Sequence, residues 1–437
     1  NSLKRKDGSL EESFPYEGSY CVTALVAFDL LCAKELLEKE ISKDMSDRWT
    51  SIIAPMIDYL IKSDETHAFI SNHLATSVAA LVRWNLLTGD KNAEQKARVQ
   101  LNKIISNQSE EGWYKEYEGA DPGYQSLCTY YLADVHKIKP DWKLLDSLRS
   151  SIKFLWHFAH PDGSFGGIYG SRSTRFYYPA GVMALAGEIP EASILAEFMT
   201  HSIKNQKVVT LSAIDEPNLI PMFNAYACSA VMLNQLQTTK KFDTVKILPC
   251  QDQKPFRKYL PQAGLLLDRG LNYYTIINIH KGGVIYHFNH GFPPQINTGV
   301  VLQDAKARLG STQSYNKKNI FVQKLDKIEI TSQISLMNKK IPKPFHFILL
   351  RLFSLTIFRS RILREWFKKR LVNMLITKCK FWSVENKRII QLGADLRTED
   401  KINKNHGYKI LNNTGSFVPI HMASKGYWQV QDEDSKT

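Results

Sequence analysis

An adjacent amide and imidazole, Asn72 and His73, precede the apolar segment LATSVAALVRW. Side by side, these two groups can bind one face of a carboxylate and neutralise its charge through hydrogen bonds. An Asn that caps a helix, followed by an unrelated His, would give the same pair. The pair therefore indicates either a carboxylate-binding site or a plain helix start.

A second stretch, EEGWYKEYEGADPGYQ at residues 110–125, places aromatic rings beside acids. It contains Trp113 and Glu116, and its turn presents Tyr124 at the start of the next apolar segment. Rings beside acids are typical of a carbohydrate groove, because sugars stack their C–H faces on rings and hydrogen-bond to polar side chains. A loop that packs its own aromatic residues would look similar.

A third stretch, DGSFGGIYGSRSTRFYYPAG at residues 162–181, joins a glycine-rich loop to Arg172, Arg175 and Tyr178. The pattern G-x-x-x-x-G-K-[ST] is absent from the sequence, so nucleotide binding is only weakly indicated. His287 and His290, in IYHFNHG, would face opposite sides of a strand, which suits one metal ion poorly. We predict neither a metal nor another cofactor.

Small-residue helices follow these polar and tyrosyl residues at intervals of about 50 residues, the length of one helical hairpin per repeat. Bulkier amphipathic segments lie between them and are predicted to form an outer layer. If the small-residue helices form an inner ring, all their starts converge on one cleft. The predicted starts are Tyr20, Asn72 with His73, Tyr124, Tyr178 and Asn224.

Near residue 250 the pattern changes from helical to alternating, with β-branched and aromatic segments such as LNYYTIINIH and KIEITSQISL. The sequence therefore predicts an α+β protein of two domains. Residues 1–240 would form an incomplete (α/α) toroid and residues 250–437 an antiparallel β-sandwich, with the boundary in residues 238–256. A basic helical insertion at about residues 341–378 interrupts the predicted sandwich.

The net charge of +14 is concentrated in residues 339–370, where ten Lys or Arg face the single acid Glu365. The apolar runs in this segment are too short to span a bilayer. We expect it either to bind an anionic membrane surface or an anionic polymer, or to pack as an amphipathic helix with a solvated basic face. A nucleic-acid partner is not predicted.

Six cysteines occur singly, which argues against a disulfide framework and favours a reducing compartment. The sequence begins with Asn and shows no signal peptide. A cytoplasmic or peripheral membrane location is the expectation.

The Asn-His pair, the G-W-Y-x-E-(x)7-Tyr stretch one repeat later and the segment KGGVIYHFNHG resemble heparinase II/III-type polysaccharide lyases. The resemblance covers nearly the whole chain in architecture, through short motifs. It implies a toroid joined to a β-sandwich, with the substrate between them. It also implies that an acidic, uronate-containing polysaccharide or oligosaccharide is cleaved by β-elimination.

The resemblance further implies that Asn72 and His73 neutralise the uronate carboxylate, that Tyr124 shuttles the proton and that Glu116 supports the site. His287 or His290 would be the histidine supplied by the β-domain. The other predicted substrate-binding residues are Tyr20, Trp113, Arg172, Tyr178 and Asn224. The basic insertion is not part of the lyase plan, and it favours a relative that works at a membrane surface in capsule or exopolysaccharide metabolism.

Three alternatives stay open on the sequence. A uronyl C5-epimerase needs the same carboxylate neutralisation and proton abstraction. An (α/α) glycoside hydrolase needs two opposed carboxylates, for which Glu17, Glu116 and Asp121 are available. A non-catalytic polysaccharide-binding or assembly protein would keep the cleft without the chemistry.

Overall fold

Helices form the N-terminal part of the protein, as the sequence predicts. The computed structural model describes residues 4–12, 16–66, 68–117, 119–214, 216–236, 247–337, 343–372, 380–403 and 407–411. The helices of the N-terminal part are α1 (Tyr20–Leu37), α2 (Lys43–Lys62), α3 (Ser71–Thr88), α4 (Lys91–Ser106), α5 (Pro122–Ile138), α6 (Leu145–Leu155), α7 (Ala180–Ala184), α8 (Pro190–Lys204) and α9 (Glu216–Leu236).

Small side chains let some of these helices lie inside the others. α3 is buried on nearly every side, and Ala75, Ala79 and Ala80 let its neighbours approach closely. α2 and α4 instead bury one face, as expected for amphipathic outer helices. Successive contacts run from α1 to α3, α5, α7 and α9, and α9 contacts α1 again.

Two antiparallel sheets follow the helices. The first has the strand order β1-β2-β3-β4-β5, and the second has the order β11-β10-β9-β7-β6-β12, with β8 paired to β9. The strands are β1 (Phe256–Leu260), β2 (Leu265–Arg269), β3 (Tyr273–Asn278), β4 (Val284–Asn289), β5 (Gln295–Asn297), β6 (Val301–Asp304), β7 (Leu309–Ser311), β8 (Ile320–Gln323), β9 (Lys327–Leu336), β10 (Phe381–Gln391), β11 (Arg397–Ile402) and β12 (Tyr408–Leu411).

The first sheet is apolar on both faces because it lies between the helices and the second sheet. Leu267 and Ile276 belong to the large core that includes the helices. Leu266 and Ile277, which point to the opposite face, pack instead in a cluster with Ile330 of the second sheet. This arrangement explains why β2, β3 and β4 read as nearly continuous apolar runs.

The basic insertion is helical, with α10 (Pro344–Leu355), a 3₁₀ turn (Ile357–Arg359) and α11 (Arg361–Val372). We call residues 344–372 the basic hairpin. Residues 338–342 and 373–379, which include both predicted ends of the insertion, lie outside the described residues. None of the described helices is both long and apolar enough to cross a bilayer.

One predicted helix start is wrong. Asn224 lies inside α9, which begins at Glu216 and continues through Pro221. The sequence places the start too late because a proline inside a helix usually ends it. The predicted domain boundary at 238–256 runs from the end of α9 to the start of β1, and its first part, residues 238–246, lies outside the described residues.

Candidate functional site

Backbone pairing ahead of α3 brings Glu116 against Asn72. The backbone N–H of Ser71 donates to the carbonyl of Lys115 (3.1 Å), and the Ser71 hydroxyl donates to the same oxygen (2.6 Å). The Glu116 carboxylate then lies beside the first turn of α3, where Nδ2 of Asn72 donates to its Oε2 (2.7 Å). Both side chains are buried.

Two non-glycine residues near this pair have a left-handed backbone, Tyr117 (φ 55°) and Ser173 (φ 60°). Such a conformation costs about 1 kcal/mol or more and persists only where the surroundings enforce it. Here it brings the Tyr117 ring under the Arg172 guanidinium, whose Cζ lies 4.6 Å from the ring centroid. The contact is a cation–π interaction.

Asp121 links the start of α5 to the loop that carries Arg172. It caps α5 by accepting a hydrogen bond from the Tyr124 N–H (3.2 Å). Its other oxygen accepts from the backbone N–H of Arg172 (2.9 Å), and the hydroxyl of Thr174 also donates to the carboxylate. One buried carboxylate therefore fixes Tyr124 and Arg172 relative to each other.

Lys281, in the turn between β3 and β4, holds the same loop from the β part. Its Nζ donates to the carbonyls of Ile168 and Gly170 (3.0 Å for Gly170) and to the hydroxyl of Ser173 (2.9 Å). Burial lowers the pKa of Lys281 to about 7, against the opposing effect of Asp121. The loop is thus anchored from both parts of the protein.

The Tyr124 side chain is buried at the start of α5, and its hydroxyl has no hydrogen-bond partner among the described residues. Its ring packs edge-on against Phe176 (5.6 Å between centroids), and the Arg172 guanidinium lies 5.9 Å from its centroid. Burial raises the pKa of Tyr124 well above its ordinary value, and the positive charge of Arg172 opposes the rise.

We call Asn72, Glu116, Tyr117, Tyr124 and Arg172 the Tyr124 cluster. An unpaired buried hydroxyl is costly, because the group has given up its water without a replacement. A hydrogen-bond partner for the Tyr124 hydroxyl would therefore be stabilising.

His73 is a second basic residue that acts electrostatically on the cluster. Nδ1 of His73 lies 2.8 Å from Oε2 of Glu65. Burial lowers the pKa of His73, but Cys21 and Glu65 raise it, and it ends well above its ordinary value. In its protonated form, His73 in turn lowers the pKa of Glu116.

Glu116 has a pKa near neutrality. Burial raises its pKa to about 7, while Arg172, His73 and the Asn72 hydrogen bond oppose the rise. The carboxyl group can accordingly hold or release a proton close to pH 7.

A histidine that the sequence reasoning did not single out, His280, lies on the β side of this region. Its Nδ1 is 3.0 Å from the Tyr315 hydroxyl, and burial lowers its pKa to about 4, so the ring is neutral. The Tyr315 ring lies against Gly119 and leaves no room for a larger residue there, since a Cβ at Gly119 would be 2.8 Å from the Tyr315 Cζ. The only sequence signal for His280 is the HKGG turn that follows β3.

The two histidines predicted from the β part lie elsewhere. His287 is buried in β4, with Nδ1 2.8 Å from the hydroxyl of Thr275 and Nε2 3.2 Å from the carbonyl of Ala394. His290 is exposed and lines a cavity of about 230 Å³ beside Tyr273. The described contacts of the His287 ring, which include the neighbouring Tyr273 ring, are thus all within the β part.

Two of the predicted binding residues make structural hydrogen bonds. The Tyr20 hydroxyl lies 2.8 Å from the hydroxyl of Ser77 and accepts from the side chain of Gln100. Trp113 is buried, and its Nε1 donates to Glu111 (3.0 Å). Neither ring makes a described contact with the Tyr124 cluster.

Tyr178 and Asn224 lie along the inner helices. The backbone N–H of Tyr178 donates to the hydroxyl of Ser126 (2.8 Å), and its phenol is close enough to raise the pKa of Tyr124. Asn224 hydrogen-bonds to Asp29 of α1, whose pKa burial raises to about 6 against the effect of that bond.

A separate cavity of about 480 Å³ opens between the helices and the first sheet. Arg175, Lys207, Tyr286 and Phe288 are among the residues that line it, and none of the Tyr124 cluster does. Nη2 of Arg175 donates to the hydroxyl of Tyr286 (2.8 Å) across this junction. The Tyr124 cluster and this cavity are therefore two distinct locations in the structure.

Within the described ranges, His, Cys, Asp and Glu side chains form no group of three that could hold a metal ion. No protein-family model matches the chain, and no curated protein is significantly similar to it. The geometry of the Tyr124 cluster is accordingly the basis for assigning its chemistry.

Proposed function

We propose that the protein cleaves a uronate-containing polysaccharide by β-elimination, as part of capsule or exopolysaccharide metabolism. The observation that carries the proposal is the buried, unpaired hydroxyl of Tyr124 beside the Arg172 guanidinium, in a cluster where His73 acts on Glu116. A uronate brings one negative charge and one weakly acidic C5 hydrogen. The cluster offers charge neutralisation for the first and a proton acceptor for the second.

The finer fold belongs to the same proposal. We infer an incomplete (α/α) toroid, supported by the contact order α1, α3, α5, α7, α9 and back to α1. Polysaccharide would lie between this toroid and the β part, where Lys281 and Tyr315 approach the loop that holds Arg172 and the adjoining Gly119.

In the proposed reaction, Arg172, His73 and Asn72 bind the uronate carboxylate and stabilise the enolate-like intermediate. Ionised Tyr124 removes the C5 proton, the electron pair forms the C4=C5 double bond, and the C4–O4 bond breaks. Tyr124 then returns the proton to the departing O4. No external oxidant, reductant or water is consumed.

The pKa of Tyr124 sets the expected pH dependence. Because burial raises this pKa well above its ordinary value, the phenol is mostly protonated at pH 7. The ionised fraction of such a group rises about tenfold per pH unit below its pKa, so kcat/KM should climb with slope near one above about pH 8. A profile that is flat over this range would contradict proton abstraction by Tyr124.

Incubation with a panel of acidic polysaccharides, followed by ultraviolet absorbance and product mass, tests the proposal. A lyase gives an unsaturated product that absorbs, and a C5-epimerase gives solvent deuterium exchange without cleavage. Absence of absorbance, cleavage and exchange with every uronate polymer in the panel would reject the proposed chemistry.

Glu116 favours one second candidate, a glycoside hydrolase. A carboxyl group with a pKa near 7 suits a general acid. The second, opposed carboxylate is harder to assign, because Asp121 already accepts hydrogen bonds from Tyr124, Arg172 and Thr174. New reducing ends without an absorbing product would identify this reaction.

A further inference from the structure

The basic hairpin carries an exposed apolar surface. Six of its large apolar side chains are more than half exposed: Phe345, Phe347, Ile348, Leu352, Ile362 and Trp366. Many exposed large apolar side chains on one element usually mark an interaction site.

The hairpin is nevertheless a folded element. Phe353, Phe358 and Phe367 form their own aromatic cluster, with 4.7 Å between the ring centroids of Phe358 and Phe367. Nη1 of Arg364 donates to the carbonyl of Phe358 (2.9 Å), and both residues are buried. The exposed apolar side chains are therefore displayed by a structured hairpin.

Charge identifies the partner. Lys343, Arg351, Arg359, Lys369 and Arg370 are exposed in and beside the hairpin, while its one acid, Glu365, accepts a hydrogen bond from Thr66 (3.0 Å). Arg364 and Lys368 point inward instead, and Lys368 pairs with buried Glu17. The solvent-facing side of the hairpin is thus both apolar and cationic.

We propose that this face of the basic hairpin inserts into the interface of an anionic lipid bilayer. Basic residues attract acidic headgroups, and apolar side chains between them enter the acyl boundary. An acidic polysaccharide would pair with the cations and stack on the aromatic rings. It would not bury Ile348, Leu352 and Ile362, and these aliphatic side chains therefore favour lipid.

Sedimentation of the full chain with vesicles tests this. We expect binding to phosphatidylcholine vesicles that contain about a third phosphatidylglycerol, and weaker binding at high salt. The variant Arg351→Gln/Arg359→Gln/Lys369→Gln/Arg370→Gln should bind at least about 100-fold more weakly. A matched variant with the same charge loss outside the hairpin, Lys39→Gln/Lys43→Gln/Arg48→Gln/Lys306→Gln, should bind within a few-fold of wild type.

A second variant separates insertion from charge attraction. Ile348→Gln/Leu352→Gln/Ile362→Gln/Trp366→Gln changes only exposed side chains and leaves the Phe358 cluster intact. It should lose the part of the binding that survives high salt, whereas Leu36→Gln/Leu86→Gln/Leu325→Gln, also exposed, should not.

The proposal would be overturned by wild type that stays in the supernatant at low salt, by equal binding of the two charge variants, or by concentration-dependent self-association through the hairpin without vesicles. Preferential binding of a soluble acidic polysaccharide through the same basic residues would also overturn it. The assay needs no substrate turnover, so its failure would leave the proposed lyase activity untouched.

Discussion

The hydroxyl of Tyr124 is the single group on which the proposed reaction depends. Tyr124→Phe keeps the ring and its contacts with Phe176 and Arg172 but removes the ionisable proton. We expect turnover to fall by about 1,000-fold or more while polysaccharide binding stays largely intact. Tyr226→Phe is the matched control, because that hydroxyl is also buried without a described partner but lies on α9.

His73→Ala should behave differently. It removes a cation that acts on the cluster, so both substrate binding and turnover should weaken. Separate measurement of the dissociation constant and kcat checks this.

If Tyr124→Phe retained normal turnover, the base in the proposed reaction would have to be another residue of the region.

Glu116 makes a prediction about stability. Burial raises its pKa from 4.5 to about 7, so the folded protein holds a proton that the unfolded chain releases. This contribution to the free energy of unfolding is present in full below about pH 4.5 and is lost as pH rises through 7. Its size is about 3 kcal/mol.

Glu116→Gln resembles the protonated side chain at every pH. In urea unfolding, the stability of wild type relative to this variant should fall by about 3 kcal/mol between pH 5 and pH 8. A constant difference across this range would show that Glu116 does not bind a proton on folding.

Sequence reasoning selected Asn72, Glu116, Tyr124 and Arg172 because each lies beside a helix start or a turn with a recognisable pattern. Tyr315 carries no such local pattern, and His280 and Lys281 are marked only by the HKGG turn, which assigns them no role. They reach the region only because the turn after β3 packs against the loop before α7, and that packing depends on residues far apart in the chain.

Among the elements, the α5 start and the loop at residues 168–174 act together. Asp121→Ala removes the cap of α5 and the anchor of Arg172 and Thr174 at once, so it should lower the free energy of unfolding by about 3 kcal/mol. It should also impair turnover, since Arg172 would lose its fixed position.

Ser42→Ala serves as the comparison for that variant. Ser42 caps α2 through a single hydrogen bond from the Met45 N–H (3.2 Å), and its loss should cost about 1 kcal/mol without affecting activity. Equal stability losses in the two variants, measured by chemical unfolding, would mean that Asp121 acts only as a cap.

Element types were easier to predict than element limits. The change of pattern near residue 250 correctly separates α9 from β1, because β-branched and aromatic enrichment identifies strands even where both faces are apolar. The same pattern fails at Pro221, since tertiary packing of α9 tolerates a residue that local rules treat as a helix breaker.

At the scale of the whole molecule, an ion pair between described residues joins the basic hairpin to the segment that precedes α1. Nζ of Lys368 lies 2.8 Å from Oε1 of Glu17, and Glu17 raises the pKa of Lys368 although burial opposes the rise. Lys368→Met leaves the buried Glu17 carboxylate without this cation and should cost about 3 kcal/mol of unfolding free energy.

The double variant Lys368→Met/Glu17→Gln tests that account. It should regain at least about 1 kcal/mol over Lys368→Met, because the buried negative charge is removed together with its cation. Additive losses in the double-mutant cycle would mean that the two residues stabilise the protein independently.

The basic hairpin is inserted between β9 and β10, two strands that are neighbours in the second sheet. Ser335 of β9 pairs with Phe381 of β10, and the Leu336 N–H donates to the Lys380 carbonyl (2.8 Å). In topology, the chain that connects β9 to β10 is the loop of a β-hairpin. Excising residues 338–379 and closing the gap with Asn-Gly, together with Glu17→Gln because Lys368 is removed, should therefore preserve the strand order. The basic hairpin can therefore be removed without changing the sheet. The shortened protein should lose vesicle binding, while any polysaccharide turnover persists.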